Sequence, residues 1–240
     1  MFDLLKRVSG GLLLLTSTSV LAQQGPVTND FITEVELGAI FTSGNTEDEN
    51  VKYKITFDWL REDWEHQFMT EGFRSSTEDE LSAQRLYHVA STRLNVNEDT
   101  YWSGRVAYED DRFSGYDYQA DITGSYGRNF LQTIDNMALS TELGVGMRKS
   151  ESEFESFNEA IIRAAGNYEW GISDTANFIQ TLSVEAGDES TIFRSESAIE
   201  SEIMENLSLR FSIKVKSQTE VPIGREKTDT ETAITLVWNF

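Results

Sequence analysis

Apolar and polar residues alternate with a period of two along nearly the whole chain, in successive segments of about 11 to 14 residues, and helical three-four spacing is nowhere sustained. Phe31, Thr33, Val35, Leu37, Ala39 and Phe41 share one face of the first segment, against Glu34, Glu36, Gly38 and Thr42. Val51, Tyr53, Ile55, Phe57 and Trp59 then oppose Lys52, Lys54, Thr56 and Asp58. The split recurs through Trp102, Val106 and Tyr108, through Ile122 and Tyr126, through Leu143, Val145 and Met147, through Ile162 and Trp170, and through Leu207 to Val215. It ends with Ile234, Leu236, Trp238 and Phe240. A chain patterned in this way folds as β-strands with one apolar and one polar face.

Tight breaks near residues 61–63, 97–99, 133–136, 173–174 and 205–206 alternate with mostly longer, acidic breaks at 43–49, 75–80, 112–117, 149–156, 187–192 and 217–228. Five short turns and six loops join twelve strands and leave both termini on the short-turn side, the layout of a transmembrane antiparallel up-and-down β-barrel. The expected fold class is therefore all-β. No apolar run is long enough for a membrane helix, which says nothing against strands that dilute their apolar residues by half.

Residues 1–22 read as a bacterial secretory signal: Lys6-Arg7, a run at Leu12–Leu15, and an end at Val20-Leu21-Ala22. The barrel domain is then 23–240. Export to the outer membrane of a Gram-negative bacterium follows, with outer-membrane lipid and lipopolysaccharide as surroundings. Forty-one acidic residues against 20 basic ones leave a net charge of -21, which excludes a nucleic-acid surface. The lack of cysteine removes disulfides, thiolate metal sites and a cysteine nucleophile.

A soluble β-barrel also alternates, so the contents of the two faces must discriminate. Here the polar faces carry both signs of charge, while Trp, Tyr and Phe gather on the apolar faces near strand ends, as in a barrel with a polar lumen and interfacial aromatic girdles. Segment 81–96 is less clean: either Arg85 and Arg93 are placed in the lumen, which puts His88 outside, or the strand carries a bulge. Segment 191–204 presents Phe193, Ser195, Ser197, Ile199, Ser201 and Ile203 on its outer face, and reads as a poor strand in preference to a protomer contact. The alternating end at Trp238 and Phe240 is similar to the signal by which the barrel assembly machinery recognises its clients.

Several stretches together resemble one family: Gly38 with Thr42-Ser43-Gly44-Asn45-Thr46, the run Tyr108–Tyr118, Gly144-Val145-Gly146, and Asn167-Tyr168-Glu169-Trp170. They are similar to the salt-induced outer-membrane proteins of Gram-negative bacteria, from about Glu36 to Phe240. The resemblance implies an outer-membrane barrel of uncharacterised function whose expression is linked to salt. It transfers no catalytic residues.

Catalytic constellations are sparse, and no enzyme activity or cofactor is expected. A lipid-acting enzyme in the barrel wall would pair a histidine with serine, but Ala90 stands two along from His88 and Ser91 points the other way. The acidic stretches Thr46–Glu49 and Thr77–Glu80 match no calcium-loop spacing, so no metal is assigned. What remains is the lumen. Arg85, Arg93, Arg105, Arg163, Arg194 and Arg210 would share it with Glu71, Glu109, Asp111, Asp121, Glu142, Glu159, Glu169, Glu196 and Glu200. Such a set forms either a salt-bridged plug or a narrow pore for small solutes or ions, and twelve strands lie between filled and open barrels. The rivals are the lipid-acting enzyme and a soluble periplasmic ligand-binding barrel.

Overall fold

The computed structural model of the chain describes residues 30–43, 49–77, 80–111, 114–152 and 155–240, with side chains left out at 43, 49–50 and 74–84. The proposed signal at 1–22 lies outside the described residues, as do most of the two acidic stretches at 46–49 and 77–80. The strands are β1 (Asp30–Ser43), β2 (Glu49–Arg61), β3 (Trp64–Thr77), β4 (Glu80–Asn95), β5 (Thr100–Asp111), β6 (Tyr118–Phe130), β7 (Met137–Glu151), β8 (Ser156–Ser173), β9 (Ala176–Gly187), β10 (Thr191–Met204), β11 (Leu207–Gln218) and β12 (Thr228–Asn239). Each pairs antiparallel with its sequence neighbours, and β1 pairs with β12 from Glu34↔Asn239 to Ser43↔Thr230. The fold is the expected closed twelve-strand antiparallel barrel. Its last residue completes the seam, since the Phe240 amide donates to the Thr33 carbonyl at 2.9 Å.

Two expectations need correction. β10 is a full strand paired on both sides, not a poor one. Its outward Ser195 and Ser197 are satisfied by Gln180 of β9: Gln180 Nε2 donates to Ser195 Oγ at 3.1 Å, and Ser197 Oγ donates to Gln180 Oε1 at 2.5 Å. Hydroxyls that look unfit for an outer face in one strand are acceptable once the neighbouring strand supplies their partner. The contrast in loop length is also weaker than expected, because strands run on into the acidic breaks; β9 and β10 are separated only by residues 188–190.

In β4 the register runs unbroken from Arg85↔Asp111 to Asn95↔Tyr101, so Arg85 and Arg93 point inward and His88 outward. The nearby irregularity falls in the β3–β4 pairing, where Ser82 of β4 is skipped between Ser75↔Ala83 and Ser76↔Leu81. Outward positions are apolar and open: Phe31 is 71% exposed and Ile122 59%. All five tryptophans (Trp59, Trp64, Trp102, Trp170 and Trp238) stand near strand ends on the short-turn side. Among the described residues there is no large apolar core. Most buried side chains are charged or polar and line the inside, with small apolar clusters at Ile40–Phe73–Ala233 and Ile179–Ala198.

One stack depends on a missing side chain. Tyr101, 1% exposed, lies across Gly127 of the paired strand, and the Arg93 guanidinium sits 3.5 Å over its ring. A Cβ on Gly127 would fall 2.1 Å from that ring. Glycine here lets an aromatic close the gap between β5 and β6 at the short-turn end. Gly127→Ala should therefore cost about 1–3 kcal/mol of overpacking, read as a lower urea midpoint. A midpoint equal to wild type would show that Tyr101 can move aside freely.

Candidate functional site

Two inward carboxylates on opposite walls organise the lumen. Glu71 on β3 is 3% exposed and receives Lys214 Nζ from β11 at 2.5 Å, Arg85 from β4 at 3.3 Å and Lys52 from β2 at 3.8 Å. Glu185 on β9, 1% exposed, receives Arg194 at 3.0 Å and Arg105, Arg148 and Arg163 each at 3.8 Å. A buried carboxylate is costly unless several donors surround it, and each of these has cations from three or four strands.

Bridges cross the barrel between these hubs. Arg194 on β10 donates through Nη2 to Glu109 on β5 at 2.9 Å and through Nη1 to Glu185 at 3.0 Å. Lys216 on β11 lies 2.9 Å from Glu109 and 3.6 Å from Asp111. Arg85 pairs with Glu231 of β12 as well as with Glu71. Lys214 also reaches Glu196, whose other oxygen accepts from Arg210 at 2.9 Å. Arg105 donates to Asp121 at 2.5 Å and to the Tyr87 hydroxyl at 2.5 Å. These contacts leave an irregular space of about 280 Å³ within the lumen.

Most of the charges expected inside are joined into this web. Arg163 pairs with Glu142 at 2.9 Å and Arg148 with Glu159 at 2.6 Å. Arg210 lies 3.7 Å from Glu200. Arg93 stands apart near the short-turn end, 3.9 Å from Glu65 and bonded to Asn95 and Asn129. Glu169 forms no ion pair among the described residues. Arg105 and Glu109, four positions apart on one strand, pair with different partners. Sequence reasoning missed Glu185 because β9 was assigned no faces; alternation carried one strand further from Trp170 would have turned it inward. Arg148, Lys52, Lys54, Lys214 and Lys216 also belong to the web.

At the loop end, segments from opposite walls meet. The Tyr116 hydroxyl donates to the Glu220 carbonyl at 3.5 Å, and a Cβ on Gly115 would lie 3.0 Å from Pro222. Arg148 donates to the Ser190 carbonyl, while Glu159 accepts from the Glu189 amide at 2.9 Å. Burial pushes the Tyr116 phenol above its ordinary value.

Neither histidine joins a serine among the described residues. His88 faces outward, stacked 6.4 Å from Tyr108. His66 shares a 2.9 Å hydrogen bond with Thr92 and packs between Trp59 and Trp64 in the aromatic band. That band suits the interfacial position of such rings.

The family model described as "Protein of unknown function, DUF481" matches residues 35–240. "Uncharacterized protein YdiY" of Escherichia coli (strain K12) is 28% identical over 205 residues, covering 85% of this chain and 81% of that protein. Two solved structures share the fold. The barrel is similar to the NanC porin, with a TM-score of 0.59 at 6% identity over 85% of this chain and 98% of the other. It is also similar to the KdgM porin, with a TM-score of 0.52 at 10% identity over 86% and 99%.

Because four arginines converge on Glu185, its removal leaves buried positive charge that the remaining acids offset only in part. Glu185→Ala should lower folding stability by about 3 kcal/mol, more than Glu169→Ala, which breaks no ion pair. Comparing the two variants in urea unfolding checks this, and equal stabilities would remove Glu185 as a hub.

Proposed function

The chain belongs to the DUF481 family of proteins of unknown function, and on that footing we propose that it is an outer-membrane barrel of the Gram-negative envelope that lets small solutes through a narrow, ion-pair-lined lumen. One observation carries the reading: a closed barrel apolar outside holds a charged interior with about 280 Å³ of open space. A chain built only to fill its barrel would need no such space. The two porins of the same fold support the reading. The outward apolar faces weigh against a soluble periplasmic barrel, where that surface would meet water.

Trp238 and Phe240 on the last strand are assigned the assembly signal, and residues 1–22 the cleaved export signal. The same reading carries the salt-linked role that the sequence resemblance implies. A second reading, a filled barrel serving as an envelope component, is favoured by the ion pairs that cross from β10 and β11 to β5 and β3. Lipopolysaccharide surrounds the barrel in both.

Fractionation comes first: the chain should stay with outer membranes and run faster on a gel before heating than after, and release into the periplasm without detergent would end the membrane reading. In planar bilayers the purified chain should give small, steady conductance steps. Replacing both partners of one crossing pair, in Arg194→Ala with Glu109→Ala, should enlarge those steps. Silence from both proteins would leave the filled barrel.

A further inference from the structure

Ion pairing in the lumen is lopsided in sign. Among the described residues every inward Lys and Arg has a carboxylate within 4.0 Å, mid-strand Lys54 with Glu36 and, nearest the short-turn end, Arg93 with Glu65 and Arg210 with Glu196 and Glu200. The carboxylates are not matched in return. Glu34 and Asp58 are buried on adjacent strands, and neither has a Lys or Arg within that distance among the described residues. Glu169 is in the same position across the barrel. Glu200, 2% exposed, has one cation, Arg210 at 3.7 Å, and a hydrogen bond from Ser208, while its Oε2 is buried with no hydrogen-bond partner. All four stand toward the short-turn ends of β1, β2, β8 and β10, below the web of crossing pairs.

The consequence follows from charge balance in a confined space. An anion entering from the short-turn side meets the unmatched carboxylates beside Arg93 and Arg210, and each cationic side chain there already has an acid partner. Breaking such a pair to bind an anion would strand a buried acid in the wall without its partner, which is costly. A mobile cation meets the opposite situation, since the unmatched carboxylates are neutralised as it arrives. Rings of acidic side chains select cations in this way in channels.

We propose that the lumen prefers small cations over anions, with Glu34, Asp58, Glu169 and Glu200 at the short-turn end setting the preference. The inference rests on the pore reading. It names small cations and small cationic solutes as the class admitted.

The test is the reversal potential of the full chain in a planar bilayer under a tenfold KCl gradient. The K⁺ to Cl⁻ permeability ratio should exceed one and fall toward one in Glu169→Gln with Glu200→Gln, whose folding is checked by heat-modifiability. Should that pair of changes prevent folding, Glu169→Gln alone serves, because it breaks no ion pair. An open channel with a ratio at or below one overturns the inference and leaves the pore intact. A ratio that exceeds one and is unmoved by either variant overturns the assignment to these carboxylates. Absence of any current removes the pore reading, and the inference with it.

Discussion

Everything in this barrel depends on pairing the backbone completely. A strand edge left open in hydrocarbon would expose amides and carbonyls at several kcal/mol each, so a spanning sheet must close on itself. The seam between β1 and β12 meets that demand, with the Phe240 amide and carbonyl both bonded to Thr33. Closure then divides every strand. Side chains of one parity meet the surroundings and those of the other meet across the lumen, because a pleated strand alternates without exception.

That division explains why a chain of modest hydrophobicity and net charge -21 can take this form. The inverted arrangement, apolar outside and charged inside, holds only if the inner charges neutralise one another at close range. Glu71 and Glu185 do so on opposite walls, and Arg194 joins the Glu185 hub to Glu109 across the space between. The web also resists slippage of register. A shift of one residue would carry Arg105 or Arg163 to the outer face, where an arginine at a bilayer midplane costs about 2–4 kcal/mol. The pairs that line the lumen are therefore also the pairs that hold the strands in register.

Small residues do quieter work at the same joints. Gly127 accepts the ring of Tyr101, and that ring carries Arg93, so a glycine in β6 positions a cation of β4 two strands away. Gly144 and Gly146 of β7 lie against β6 so closely that a Cβ on either would fall 2.1 Å from a β6 atom. Sequence alone marks these as glycines in a strand, which could signal a bulge or a weak point. Only the neighbouring strand shows that they allow close approach.

Strand number, face assignment and the inward placement of Arg85 and Arg93 were legible in the sequence, because a period of two is a local property written in each segment. So was the aromatic end on Trp238 and Phe240. Partnership was not legible. Arg105 and Glu109 share one strand yet pair with different partners, and Glu185, in a strand given no faces, turns out to gather four arginines. Gln180 likewise rescues two serines that made β10 look unsuitable. The sequence by itself determined a barrel with charge inside and aromatics outside. The tertiary structure decided which charges meet, because that depends on strand tilt and on which walls face each other across the lumen, and neither is a property of any one strand.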